Sequence, residues 1–171
     1  MFAIISNGVI AMFVQPGTAF EWDGVSYPQN WCSLSTPEEK AAIGMVDVVY
    51  GAYPNDQYYW VSQDAPVYNA ETNQVDINYT ATPKDLVTLQ ANAVSATNAT
   101  AYSILLPTDW MVVKSFETGS KIAPDWNTWR QTIRTQAADY ATAINACTTV
   151  DQLAALPPVS WAHDPNWVPM P

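Results

Sequence analysis

Few residues in this chain could perform acid–base or nucleophilic chemistry. His163 is the sole histidine, and it lies beside Asp164 in the stretch "WAHDPNW". Neighbouring side chains in an extended segment point in opposite directions, so these two residues do not form a catalytic pair through proximity. A nucleophile motif such as G-x-S-x-G is missing from the sequence. We therefore expect His163 to be a surface or capping residue.

Metal and cofactor sites are equally hard to find. A zinc site needs three or four ligands at characteristic spacing, whereas this chain has one histidine and two distant cysteines, Cys32 and Cys147. Because we find no secretion signal, we expect both thiols to be free and buried, with one long-range disulfide as the alternative. The carboxylates are scattered, and no Gly-rich phosphate loop is present. We expect no cofactor, no small-molecule substrate and no enzymatic activity.

Composition limits the classes of partner. The 171 residues include six basic and sixteen acidic residues, which gives a net charge of −10, and 49 % of the chain is hydrophobic. Nucleic acids and anionic membranes need clustered Lys and Arg, and no apolar run approaches the ~20 residues of a transmembrane helix. We therefore expect neither nucleic acid nor membrane as a partner.

Residues 1–80 predict a small, mostly antiparallel β-rich domain of about six or seven strands. Asn7-Gly8 and Asp23-Gly24 each separate two apolar runs. These pairs indicate two-residue hairpins, since a type I′ turn needs positive φ at both central residues. The apolar start of the chain is therefore interpreted as a hairpin and not as a signal peptide.

One short helix is predicted inside this domain, in "STPEEKAAIG". Thr36 and Glu39 have the spacing of a capping box, and Pro37 occupies the first helical position. Gly44 is the expected residue after the C-terminus of the helix.

Residues 81–171 predict a helical domain with two long helices, one short helix and a Pro/Trp-rich tail, so the fold class is α+β. The first long helix starts near Asp85 and ends before Pro107, and we expect it to pack along one narrow stripe formed by Leu86, Leu89, Ala93, Thr97, Thr100 and Ile104. The second carries the clearest apolar face in the chain, formed by Trp126, Trp129, Ile133, Ala137, Tyr140, Ile144 and Cys147. A third, short helix starts with a Thr149/Gln152 capping box. The tail is expected to be extended, because its prolines exclude a helix or a central strand, and to dock its two tryptophans, Trp161 and Trp167, on another surface. Residues 108–124 are predicted as an extended or mobile connector.

The β-rich domain contains a crowded set of aromatic residues. In a strand, Tyr58 and Trp60 face one side and Tyr59 the other, and both faces of a small sheet cannot be core. Since Tyr and Trp frequently dominate interface energetics, we hypothesise a partner-binding surface here, with ordinary packing as the alternative. The candidate residues are Tyr50, Tyr53, Tyr58, Tyr59, Trp60 and Tyr68.

Polar and aromatic residues of the helical domain form a second candidate set. Asp109 is expected to cap a turn or to pair with Arg130 or Arg134, and Trp110 is expected to pack on the helices. The two arginines are interpreted as structural, through their apolar stems and local carboxylates. Partner binding is the alternative for both groups.

These residues carry a resemblance to the tail-fibre assembly chaperones of tailed bacteriophages. That family repeats Leu-Leu…Thr-Asp-Trp, then Trp-x-x-Tyr-Arg-x-x-Leu-Arg, then a Pro-Trp ending. The matching stretches are "LLPTDWMVV", "WNTWRQTIR" and "LPPVSWAHDPN", with Trp129 and Ile133 replacing the usual Tyr and Leu. "YPQNWCSLSTPEEKAAIGMVDVV" and "QYYWVSQDAPVY" resemble the N-terminal domain of some phage proteins of this group. The resemblance covers about two thirds of the chain.

The resemblance implies a helper that binds a fibre tip and assists the folding or trimerisation of the fibre in the host cytoplasm. In some phages such proteins stay on the particle. Two other classes are open: a structural virion component such as a fibre-tip or baseplate adaptor, and a carbohydrate-binding adhesin whose exposed aromatic rings stack on sugars.

Overall fold

The computed structural model describes residues 1–166. The α+β class is confirmed, with a curled, mixed five-stranded sheet followed by helices. The chain divides into two compact units, Met1–Thr82 and Pro83–Pro171. The division falls two residues beyond the domain boundary that the sequence predicts.

The first unit contains more strands than the six or seven predicted. Nine strands are formed: β1 Phe2–Ser6, β2 Val9–Val14, β3 Phe20–Trp22, β4 Val25–Tyr27, β5 Met45–Tyr50, β6 Tyr59–Gln63, β7 Val67–Asn69, β8 Gln74–Ile77 and β9 Tyr79–Pro83. The main sheet has the order β2-β1-β5-β8-β7, and β3-β4 and β6-β9 form separate two-stranded sheets. Three neighbouring pairs of the main sheet are antiparallel, whereas β5 and β8 are parallel.

Both predicted hairpin turns are confirmed. Asn7 and Gly8 have φ of 52° and 78° between β1 and β2, and Asp23 and Gly24 have φ of 50° and 73° between β3 and β4. Positive φ at both central residues is the backbone requirement of the I′ turn, and its twist matches that of the flanking strands.

The main sheet buries apolar side chains on both faces. Ala3, Val46, Val75 and Ile77 form one cluster. A second cluster is formed by Ile4, Val14, Cys32 and Met45, against which Phe20, Trp22 and Trp31 pack. Alternate residues of β1 thus enter different clusters, as the two-residue period of a strand requires.

Two short helices, α1 Trp31–Leu34 and α2 Pro37–Ala42, accompany the sheet. The Thr36/Glu39 capping box of α2 is confirmed by reciprocal hydrogen bonds of 2.7 and 3.2 Å. Gly44 has φ of 72°, and a Cβ there would lie 2.5 Å from the carbonyl oxygen of Ile5. Position 44 therefore requires glycine both for its backbone conformation and for the close approach of β1.

The described part of the second unit, which ends at residue 166, has one helix more than predicted. Its helices are α3 Leu86–Leu105, α4 Asp109–Thr118, α5 Pro124–Ala146 and α6 Val150–Ala154, with a 3₁₀ turn at Leu106–Thr108. The prediction of an extended or mobile connector over residues 108–124 is therefore wrong for its first part. Gly119 ends α4 in the left-handed conformation, with φ of 69°.

The core of this unit lies between α3 and α5. The predicted apolar face of α5 is confirmed, and its most deeply buried members include Trp129, Ile133 and Ala137. On α3 the predicted stripe is wrong at Thr100, which is exposed, because the neighbouring Ala101 turns inward instead. Cys32 and Cys147 are both free and buried, as expected.

The extended tail packs on α5 through its backbone. Trp129 donates its indole N–H to the Ala162 carbonyl at 2.9 Å. The Gln136 side-chain amide donates to the Ser160 carbonyl at 2.8 Å and accepts from the Ala162 N–H at 3.0 Å. Trp161 packs against the core of the unit, as the sequence predicts. Trp167, the other predicted docking residue, lies outside the described residues.

Candidate protein-binding site

A buried arginine fixes the junction between α3 and α4. Arg130 of α5 is only 3 % exposed. Its guanidinium donates to the Leu105 carbonyl at 3.1 Å, to the Thr108 hydroxyl, and to the Asp109 carboxylate at 2.6 Å. It thus binds the C-terminal end of α3 and the first residue of α4. We call Arg130, Thr108 and Asp109 the arginine bracket.

The bracket fixes the positions of Asp109 and Arg130, which belong to the stretches "LLPTDWMVV" and "WNTWRQTIR". Asp109 pairs with Arg130, one of the two partners that the sequence allows. Arg134 is exposed and instead donates to the Arg130 carbonyl at 3.3 Å. The motif residues "TD" and "R", about twenty positions apart in sequence, therefore form one cluster that holds the start of α4.

Helix α4 presents apolar side chains to solvent. Every residue of α4 is at least partly exposed. Met111 and Ser115 are half-buried on one side, while Val113 and Phe116 on the other side are 55 % and 92 % exposed. We call Val112, Val113 and Phe116 the α4 apolar face. Exposed apolar side chains grouped on one element frequently mark an interaction surface.

Sequence reasoning missed this face, although signals for it exist. Phe116 follows Val112 by four residues and Val113 by three, and these spacings place side chains on one side of a helix. Asp109 is an acidic residue in the first turn, and Gly119 is a typical C-terminal residue. The pattern was not recognised as helical because the apolar side chains do not belong to a core.

Trp110 does not pack on the helices as the sequence predicts. Its side chain is 56 % exposed, and the Lys114 ammonium lies 5.9 Å from the centre of its ring. The expected packing fails because Trp110 falls on the flank of α4 and not on the side that Met111 and Ser115 occupy. Trp126 and Trp129 do pack as predicted, edge to face with ring centres 5.6 Å apart.

A groove opens along this flank of α4. It has a cavity volume of about 260 Å³, and its lining residues are all neutral or basic. Four apolar side chains and two lysines shape it: Trp110, Met111, Ile122, Trp126, Lys114 and Lys121. We call it the α4 groove. The structure therefore places a helix face and an adjoining groove next to the arginine bracket.

The six aromatic candidates of the first unit are divided by the structure. Tyr50, Tyr53 and Trp60 are exposed. The other three are half-buried, and Tyr68 also packs against the sheet core and donates to Asn73 Oδ1 at 2.9 Å.

The exposed Tyr53 ring lies edge-on to Tyr79, with ring centres 5.0 Å apart. Tyr79 begins β9, which pairs with β6, the strand that carries Tyr59 and Trp60. Part of the predicted set is thus available to a partner. Its binding role stays a prediction.

Residues 1–166 contain no group of three His, Cys, Asp or Glu side chains arranged to hold a metal ion. His163 is exposed, in the extended tail. Among the described helices, none is long and apolar enough to cross a bilayer.

Comparisons with known proteins add no further information. Neither a protein-family model, nor a curated protein, nor a solved structure matches this chain.

Proposed function

We propose that this chain is an assembly chaperone for a bacteriophage tail fibre. It binds the tip of the immature fibre in the host cytoplasm and assists folding and trimerisation, without an enzymatic step. The observation that carries the proposal is the α4 apolar face, held in place by the arginine bracket. Three of the residues through which the sequence resembles the chaperone family, Thr108, Asp109 and Arg130, build this bracket.

The α4 apolar face could bind reversibly to apolar surface that a folding intermediate exposes, because it offers a few large apolar side chains for burial. Burying a Val or Phe side chain against a partner stabilises a complex by about 1.5–3 kcal/mol each. An immature fibre exposes apolar surface and unpaired strand edges, which would otherwise aggregate or pair wrongly. Covering such surface needs apolar contact area and no catalytic group.

Co-expression with the fibre protein encoded beside it in the genome tests the proposal. We expect soluble, trimeric fibre with this chain present, and aggregated fibre without it, measured by size-exclusion chromatography with light scattering. Co-purification of the two proteins would add that the chain stays bound. Soluble trimer without the chain, together with no complex, would refute the proposal and favour a virion adaptor or a glycan-binding protein.

A double substitution isolates the contribution of the α4 apolar face. We expect Val113→Ser with Phe116→Ser to reduce the yield of soluble trimer at least about tenfold, because two exposed apolar anchors are lost. Val87→Ser with Tyr102→Ser is the matched control, since these α3 side chains are also exposed, at 71 % and 61 %. Equal yields of soluble trimer from both double variants would show that the fibre does not bind through the α4 apolar face.

A further inference from the structure

The α4 groove concentrates positive charge in an acidic protein. The chain has six basic and sixteen acidic residues, yet two of its lysines, Lys114 and Lys121, line this one groove. Glu117 and Asp125 are close in sequence to its lining residues but do not line it. Asp109 is paired with Arg130. The charged side chains on the walls of the groove are therefore both positive.

The groove can accept a bulky apolar side chain. Trp110, Met111, Ile122 and Trp126 supply apolar walls, and the volume of the whole groove is about 260 Å³. This volume is just below the range of about 300–1,000 Å³ found for drug-sized ligands and cofactors. A bulky apolar side chain fits the apolar walls, and the two lysines leave room for charged groups beside it.

We infer that the α4 groove binds a segment of the partner protein in which a bulky apolar residue is flanked by carboxylates. The apolar side chain enters between Trp110 and Trp126, and the carboxylates lie beside the Lys114 and Lys121 ammonium groups. The inference rests on the proposed function for the identity of the partner, the fibre tip. It adds the chemistry of the recognised segment, which an apolar face alone does not specify.

Charge reversal in the groove tests the inference with the purified fibre. We expect Lys114→Glu with Lys121→Glu to weaken fibre binding at least about tenfold in calorimetric titrations, through lost ion pairs and new repulsion. Added salt should weaken the wild-type complex more than the variant complex. The control is Lys40→Glu with Lys84→Glu, which makes the same change in net charge in the first unit and at the start of the second.

The outcomes separate this inference from the proposed function. A complex that forms equally with the groove variant overturns the inference and leaves the chaperone proposal standing. If wild-type protein forms no complex with the purified, assembled fibre, the co-expression yields decide the chaperone proposal, and a fibre-independent probe decides the inference.

That probe is the blocked peptide Asp-Glu-Phe-Glu-Asp, compared with Lys-Arg-Phe-Arg-Lys. In nitrogen–proton NMR spectra we expect the acidic peptide to shift the indole signals of Trp110 and Trp126. The Trp22 indole, in the first unit, is the internal reference. The basic peptide should leave the two groove signals in place. No shift with the acidic peptide, or equal shifts with both peptides, overturns the inference.

Discussion

At the scale of single residues, Arg130 has the most consequential environment in the second unit. Its guanidinium is buried, and its charge is balanced by Asp109, whose side chain is 44 % exposed. Removing one member of a buried pair costs more than the pair contributes, because the remaining charge stays desolvated. The bracket is therefore sensitive to loss of the carboxylate.

We predict that Asp109→Ala lowers the free energy of unfolding by about 1–3 kcal/mol, less than for a fully buried pair since Asp109 is partly hydrated. Urea unfolding followed by circular dichroism measures the change. Asp139→Ala, which removes an exposed carboxylate from α5, should change it by less than about 0.5 kcal/mol. Unchanged stability of Asp109→Ala combined with lost fibre binding would make Asp109 a direct partner contact.

The sequence predicted that Asp109 could form an ion pair with Arg130 or Arg134, and the ion pair with Arg130 is confirmed. A carboxylate next to a helix end and two arginines on a nearby helix allowed two pairings, and the structure selects Arg130. The sequence could not select it, because the choice depends on how α5 rotates relative to the end of α3. That rotation is set by packing of Trp129 and Ile133 and not by local pattern.

At the scale of secondary structure, α3 shows how a single cap couples helix stability to pH. Asp85 accepts hydrogen bonds from the Thr88 hydroxyl and from the Thr88 backbone N–H. These bonds, the hydroxyl bond first, lower the pKa of Asp85. A carboxylate with a lowered pKa stabilises the folded state above its ordinary pKa, and this contribution disappears as the pH falls through the lowered value.

We predict that Asp85→Ala is less stable than wild type at about pH 7 and that the difference shrinks towards about pH 2, because the protonated acid caps poorly. Thermal unfolding of Asp85→Ala and of the wild-type protein at several pH values measures this difference. Asp85→Asn keeps a capping acceptor without a titratable group, so its melting temperature should depend less on pH. Identical pH profiles for Asp85→Asn and wild type would exclude this titration as the cause.

Secondary structure followed from sequence wherever the signal was local. The Asn7-Gly8 and Asp23-Gly24 turns were predictable because two adjacent residues fix the backbone, and α2 because its caps lie within ten residues. The parallel pairing of β5 with β8 was not predictable, since it joins segments about 27 residues apart, as Asp47 and Gln74 show. Helix α4 was missed because its apolar side chains face solvent, whereas helix patterns are normally recognised by a buried face.

At the scale of the whole molecule, each unit has its own buried apolar residues. Val75 and Ile77 are buried in the first unit, and Trp129 and Ile133 are buried in the second unit. Independent cores are the property that allows domains to fold alone. The two hypotheses for partner binding also fall on different units, since the exposed tyrosines belong to the first and α4 to the second.

We predict that a fragment of residues 83–171 binds the fibre within about tenfold of the full chain, because it contains both α4 and the arginine bracket. Residues 1–82 should fold but bind poorly. Calorimetric titration of each fragment against purified fibre measures the two affinities. The reverse ranking would assign fibre binding to Tyr50, Tyr53 and Trp60 and would support the hypothesis drawn from the aromatic cluster.

The Gln136 amide gives the tail an unusual freedom to vary. One side-chain amide offers a donor and an acceptor, as a neighbouring peptide unit would, and it is bonded to the backbone of Ser160 and Ala162. At the exposed Ser160, helix α5 thus recognises the path of the tail and not the identity of the residue. Evolution can exchange Ser160 for most other amino acids, whereas Ala162 also packs against the core and cannot be proline, which lacks the N–H. Position 136 has no such latitude, since even glutamate would lose the donor.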